Sequence, residues 1–170
     1  MSEFAKDVSA PVVVFDSADV TRLKDLATHS AKNRFRYCAH GSTDNPVQEM
    51  LICARQHTYL PPHRHPSGKC ESYHVVEGQA EVFLMSEDGH VLQQHLLGDG
   101  RHPGAFFFRI SEPIYHFVFP RSEWFIYHEV YSGPWSREMS VIPAPFAPHE
   151  NDKDAVAAFI KVVTGVDTAT

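Results

Sequence analysis

From Arg34 onward the chain breaks into short runs of aromatic and β-branched residues: "RFRYCAH", "VQEMLICARQ", "SYHVVEG", "AEVFLMSED", "HVLQQHLLG", "AFFFRI", "IYHFVF" and "WFIYHEVYS". Turn signals separate them, among them "STDNP", "EGQ", "EDGH", "GDGRHPG", "SEP" and "PRSE". Runs of this length and composition, bounded by Gly, Pro, Asn and Asp, predict β-strands. About eight strands with no helix between them predict an all-β fold, a closed antiparallel barrel or jelly roll and not a parallel sheet.

The two ends of the chain carry different patterns. "PVVVFD", Pro11 to Asp16, reads as a short strand. In "SADVTRLKDLATHSAKN" the apolar Val20, Leu23, Leu26 and Ala27 form a helical stripe, with Asp16 or Ser17 as N-cap. The tail "NDKDAVAAFIKVVTG" predicts one amphipathic helix, capped by Asn151 or Asp152 and closed by Gly165. The proline-rich "YSGPWSREMSVIPAPFAPH" before it predicts an irregular wrap over the barrel. No internal repeat or linker interrupts the chain. One domain over residues 1–170 is therefore expected, with the barrel at about 34–135, an N-terminal strand and helix at 11–31, and the wrap and helix at 136–165.

Composition narrows the partners. With 43% apolar and 21% charged residues in a chain of 170, a sizeable core is affordable without disulfides. A net charge of −6 with scattered basic residues argues against nucleic acid and anionic membranes as partners. The opening "MSEFAKDVSA" lacks a basic segment leading into an apolar one, so no secretory signal is expected, and no apolar run approaches the ~20 residues of a membrane span. Cys38, Cys53 and Cys70 are odd in number and widely spaced, the pattern of reduced thiols in the cytoplasm. The apolar "PVVVF" allows a homodimer by addition to a neighbour's sheet edge.

Histidine is over-represented, with 12 residues, and it is the commonest metal ligand. In "LPPHRHPSGKCESYHVVEG" His63 and His65 share one face of an extended strand, and Arg64 points away. Tyr59 and Pro61 share the histidines' side if the strand extends back that far. "PSGKC" forms a turn, so Glu71 can open the neighbouring strand and bring its carboxylate beside both imidazoles, and Gly78 ends that strand. Two imidazoles and a carboxylate on rigid strands suit a divalent transition metal. A fourth ligand is wanted from a distant strand, and His116 and His128 are both candidates. Tyr73 shares the parity of Glu71, whereas His74 and Cys70 are out of phase with it. "AFFFRI" is expected in the core.

The spacing His63-x-His65-x5-Glu71-x6-Gly78 resembles the first motif of the cupin superfamily, and "SEPIYHFVFP" resembles its second. The likeness is closer to WbuC-type cupin fold metalloproteins, through "RFRYCAHGSTDNPVQEML", "TYLPPHRHPSGKCESYHVVEGQAEVFLMSEDG" and "HEVYSGPW", which together cover Arg34 to Trp135. Five residues separate His65 from Glu71 where cupins generally have three or four. The resemblance implies a cupin jelly roll with an N-terminal and a C-terminal helix. It implies His63, His65, Glu71 and His116 as ligands of one divalent ion: iron, manganese, nickel, cobalt or zinc. It also implies a small polar metabolite as ligand, a surface-polysaccharide sugar being the expected case. Tyr59, Tyr73, Arg109, Tyr115 and His128 are the candidates to contact it. An iron-dependent dioxygenase or a metal-dependent isomerase is the alternative. With no second acid or base identifiable beside the metal set, a non-catalytic ligand-binding module is a third reading.

Overall fold

The computed structural model describes residues 5–7 and 10–168 of the chain, with side chains described from residue 10 onward. The chain runs β1 (Ala5–Asp7), α1 (Ser17–His29), β2 (Arg34–Cys38), β3 (Val47–Arg55), β4 (His63–Arg64), β5 (Glu71–Glu77), β6 (Gln79–Met85) and β7 (Val91–Gly98). It continues through β8 (Phe107–Ile110), β9 (Tyr115–Pro120), β10 (Trp124–Ser132), α2 (Arg137–Ser140), β11 (Ile142–Pro143) and α3 (Lys153–Thr164). One sheet has the order β1-β2-β3-β10-β5-β8 and the other β11-β4-β9-β6-β7. Within both sheets the strands pair antiparallel, except β1, which pairs parallel to β2. All eight expected strands are present, and they form the antiparallel jelly roll that their turn punctuation predicts.

Apolar packing occupies three layers. Met50, Ile52, Val75, Val82, Val118 and Phe125 lie between the sheets. Leu51, Cys53 and Ile126 face out from the first sheet and are covered by Leu23 and Ala27 of α1. Phe83, Phe117 and Phe119 face out from the second sheet and are covered by Val156 and Ile160 of α3. Strand β9 is consequently buried at every position, since one face looks into the barrel and the other lies under α3. Each such fully buried side chain contributes roughly 1.5–3 kcal/mol. Both helices begin as their caps dictate. Asp16 accepts from Ala18 N at 2.8 Å and Asp19 N at 3.1 Å, while the Asp19 carboxylate accepts from Asp16 N, completing a capping box. Asp152 caps α3, and Gly165 closes it with a left-handed φ of 73°.

Three local expectations are corrected. Pro11–Asp16 is not a strand: Val12 and Val14 are exposed, and the flank of β2 opposite β3 is already taken by β1. With no ladder to join, the segment leads Phe15 onto Tyr37, ring centroids 5.6 Å apart, and Asp16 into its cap. "AFFFRI" is not core throughout. β8 is the outer strand of its sheet, so Phe107 in it and Phe106 just before it are 48% and 62% exposed, while Phe108 turns inward onto Tyr73 and Ile110 is buried. The proline-rich wrap contains the short α2 and β11, and β11 pairs with β4. No helix among the described residues is long and apolar enough to cross a membrane.

One corner fixes how the sheets join. Gly78 turns from β5 into β6 with φ 85°, and a Cβ there would lie 1.9 Å from Trp124 O. Asp99, its side chain 2% exposed, braces this turn. Its carboxylate accepts from Gly78 N at 3.1 Å, Arg101 N at 2.9 Å and His102 N at 2.8 Å. Burial pushes the Asp99 pKa up, but these backbone donors outweigh it and the net shift is downward. A carboxylate whose folded pKa is depressed stabilises the protein above its unfolded pKa of about 3.9, and that contribution is lost as pH falls below it. Asp99→Asn should therefore cost about 2 kcal/mol in guanidinium unfolding at pH 7, with the gap to wild type narrowing below about pH 4. A gap independent of pH would show that the charge is not what braces the turn.

Candidate metal centre

Two sheets supply the cluster. β4 pairs with β9 so that His63 and His116 are direct cross-strand partners, and their ring centroids are 4.5 Å apart. His65 follows β4 with its ring 5.1 Å from that of His63. Glu71 opens β5 in the opposite sheet, between Tyr131 and Ile110, and extends its carboxylate across the interior to the histidines. The five-residue gap folds as a turn, with Lys69 N donating to Pro66 O and Gly68 at φ 79°, so Glu71 still reaches the cluster. Lys69 does not pair with Glu71; its Nζ donates to Gly133 O at 2.6 Å. One ligand atom from each of His63, His65, Glu71 and His116 lies within 4.8 Å of the others.

The imidazoles are oriented from behind. The Nδ1 of His63 lies 3.0 Å from Pro61 O, that of His65 2.7 Å from Ser140 O, and that of His116 3.3 Å from Ile114 O. A carbonyl oxygen only accepts, so each Nδ1 carries the hydrogen and each Nε2 presents a lone pair to the interior. The Nε2 atoms of His65 and His116 face the Glu71 oxygens at 3.3 and 3.2 Å, yet both are buried without a hydrogen-bond partner. Acceptor thus faces acceptor in a buried site, which is costly unless a proton or a cation lies between them. A metal with bonds of about 2.1 Å places adjacent ligand atoms about 3 Å apart, so the donor set fits an ion.

The buried groups of the cluster shift one another's protonation. Burial, reinforced by His116, lowers the His63 pKa to about 3, which keeps that imidazole neutral. Burial would also lower that of His65, but the adjacent Glu71 carboxylate outweighs it and the net shift is upward. Burial would raise Glu71, but the imidazoles of His116 and His65 hold it well below the usual carboxylate range. The buried Tyr73 hydroxyl is pushed up by burial and by the Glu71 charge; it stays protonated and donates to Glu71 Oε2.

The cluster opens onto a cavity of about 560 Å³ lined by Met50, Ile52, Leu60 and Val118, and by the polar Tyr73, Tyr127, Arg36 and Glu129. That volume suits a small metabolite. Of the residues expected to contact a ligand, Tyr73 lines this cavity and four are placed elsewhere. Tyr115 and His128 are neighbours in sequence of inward-facing residues and so face out. Tyr115 packs on Phe146 and beneath the Arg64 guanidinium, and His128 lies 3.6 Å from Glu49. Arg109 is exposed on β8, opposite Ser72. Tyr59 precedes β4 in irregular backbone, where strand parity does not apply; its hydroxyl donates to Pro148 O and its ring packs on Phe117.

Sequence reasoning missed Arg36, Tyr127 and Glu129. The signal was there in strand parity: Tyr127, Glu129 and Tyr131 alternate with the outward His128, and Arg36 alternates with Phe35 and Tyr37, which pack under α1. Glu129 supplies the second carboxyl that the sequence did not reveal. Burial and the charge of Glu71 push its pKa well up, with Arg36 opposing.

A family model described as a domain of unknown function (DUF6016) matches residues 15–97. No curated protein matches the chain. Among solved structures, protein SO0799 from Shewanella oneidensis is 11% identical over 65% of this chain and 74% of its own, with a TM-score of 0.53. Oxalate oxidase in complex with the substrate analogue glycolate is 16% identical over 70% of this chain and 59% of its own, TM-score 0.52. An HTH_3 family transcriptional regulator from Vibrio cholerae is 18% identical over 70% of this chain and 62% of its own, TM-score 0.47. The chain thus spans less than two thirds of the length of the last two. With the strand order above, the likenesses to SO0799 and oxalate oxidase establish the cupin jelly roll as the fold.

The Tyr73 hydroxyl on Glu71 yields a test within the site. Partners behind a ligand typically change metal affinity 10–100-fold. Tyr73→Phe should leave the stoichiometry of bound metal unchanged and weaken affinity about tenfold in competition with a chelator. Unchanged affinity would confine Tyr73 to packing.

Proposed function

We propose that this chain is a metal-dependent cupin that holds one divalent transition-metal ion through His63, His65, Glu71 and His116 and acts on a small polar metabolite in the adjoining cavity. The observation that carries the reading is the pair of buried Nε2 atoms on His65 and His116, without hydrogen-bond partners and turned onto the Glu71 carboxylate. Three imidazoles and one carboxylate accept iron, manganese, nickel, cobalt or zinc. Such an ion, when bound, supplies a Lewis-acid centre with positions left open for water or substrate.

The chain's own residues do the rest. Ser140 O, Pro61 O and Ile114 O hold the three imidazoles in the ligating tautomer. Tyr73 orients Glu71, and the apolar wall of Met50, Ile52, Leu60 and Val118 limits water around the ligand. Glu129, whose pKa burial pushes up, is a carboxyl able to exchange a proton with a ligand in the cavity. Its presence favours an enzyme of the isomerase type over a purely binding module. The likeness to WbuC-type proteins adds a surface-polysaccharide sugar as the ligand. The reading also includes a homodimer joined through the exposed Val12 and Val14.

Elemental analysis of protein purified without metal supplementation tests the centre. Near-stoichiometric metal is expected in wild type and its loss in both His63→Ala and His116→Ala; a metal-free wild type that takes up none on titration sinks the proposal. Deleting residues 1–16 should halve the mass seen by light scattering, and an unchanged mass removes that dimer from the reading.

A further inference from the structure

The cavity has a second pole, opposite the histidines. Arg34 and Arg36 both project inward from β2. Arg34 is occupied: it donates to Tyr59 O at 2.7 Å and pairs with Glu150 at 3.3 Å. Arg36 differs, because its Nε is buried and has no hydrogen-bond partner.

The sheet register places Arg36 relative to the metal cluster. Arg36, Ile52, Tyr127 and Val75 form one cross-strand row; Met50, Glu129 and Tyr73 form the next; Tyr131 and Glu71 belong to the third. Arg36 and Glu71 are therefore four residues apart along the strands and three strands apart across them, about 13 Å by about 14 Å between backbones. Two long side chains reaching inward on a curved sheet leave a gap that a chain of roughly five or six carbons spans. Glu129 lies on the row between.

The charges in the cavity do not balance. On the metal-site reading the ion would answer Glu71, and Glu150 is paired with Lys32 and Arg34. Among the described residues no ion pair or hydrogen bond joins Glu129 to Arg36, and the buried Arg36 Nε has no hydrogen-bond partner. A guanidinium left unanswered in a largely apolar cavity is costly until an anion arrives, and its flat fork suits a carboxylate.

We infer that Arg36 is the anion-binding pole of the cavity, and that the ligand is a small organic acid, sugar acids included, whose acidic group lies at Arg36 while its other end reaches the metal cluster. This rests on the metal-site reading above, and the test separates the two. The probes are adipate and its monoamide, which differ only in one terminal charge, titrated calorimetrically into the full chain with its metal content measured in parallel. Adipate should bind about tenfold more tightly than the monoamide in wild type. Arg36→Met should retain its metal and lose that preference, while Arg36→Lys keeps part of it and shows that the position tolerates replacement. Glu129→Gln should keep the preference in full. Metal-loaded wild type without the preference, or Arg36→Met with it, overturns the anion pole and leaves the metal site standing. Metal-free protein that binds both probes alike, and loses both in Arg36→Met, supports the pole and removes the metal.

Discussion

Everything in this barrel is arranged around a carboxylate that crosses from one sheet to three imidazoles on the other. Glu71 stands on β5, His63 and His116 on the paired β4 and β9, and His65 just beyond β4. Because both sheets contribute donors, the cluster exists only when the two sheets are packed at their final separation. Its orientation is set one layer further out, by carbonyls of Pro61, Ile114 and Ser140. The polar cost of the cluster is accordingly charged against the fold as a whole, and an ion at its centre would return much of it.

A hollow, partly polar barrel needs its apolar burial elsewhere. Here the outer faces provide it. α1 covers the first sheet through Leu23 and Ala27, and α3 covers the second through Val156 and Ile160. The helices thus free the interior from being a solid core, and Arg36, Tyr127 and Glu129 can face inward beside Met50 and Ile52. The exposed outer strand β8, with Phe106 and Phe107, marks where this covering stops.

The segment after β10 closes the mouth and ties it to the site. Ser140 O accepts from both His65 Nδ1 and the Tyr131 hydroxyl, and Glu150 pairs with Lys32 and Arg34 at the cavity wall. A single carbonyl in the wrap thereby helps orient an imidazole of the cluster. Wrap and cluster are one structural unit, since displacing residue 140 removes the acceptor that sets the His65 tautomer.

Local rules carried the sequence a long way. Turn residues punctuate the eight strands, Asp16 and Asp152 begin the helices, and alternation within "HRH" and "ESY" aims His63, His65, Glu71 and Tyr73 correctly. Each of these depends on backbone geometry within a few residues, which the chain encodes wherever it folds. Three things depended on distant partners. "PVVVFD" has strand composition but no free edge to pair with, because β1 already flanks β2. Arg109 and Tyr115 lie near His116 in sequence, Tyr59 shares the side of His63 only if β4 extends back to it, and His128 lies on an aromatic strand, yet packing turns all four away from the cavity. Arg36 and Glu129 were invisible because their strands read as apolar, and which face of a strand is inside is settled only when helices cover the other. Strands, caps and the spacing of the His63, His65 and Glu71 cluster are written in local sequence; which residues share the cavity with them is settled by tertiary packing, because inside and outside are properties of the assembled layers and not of any one strand.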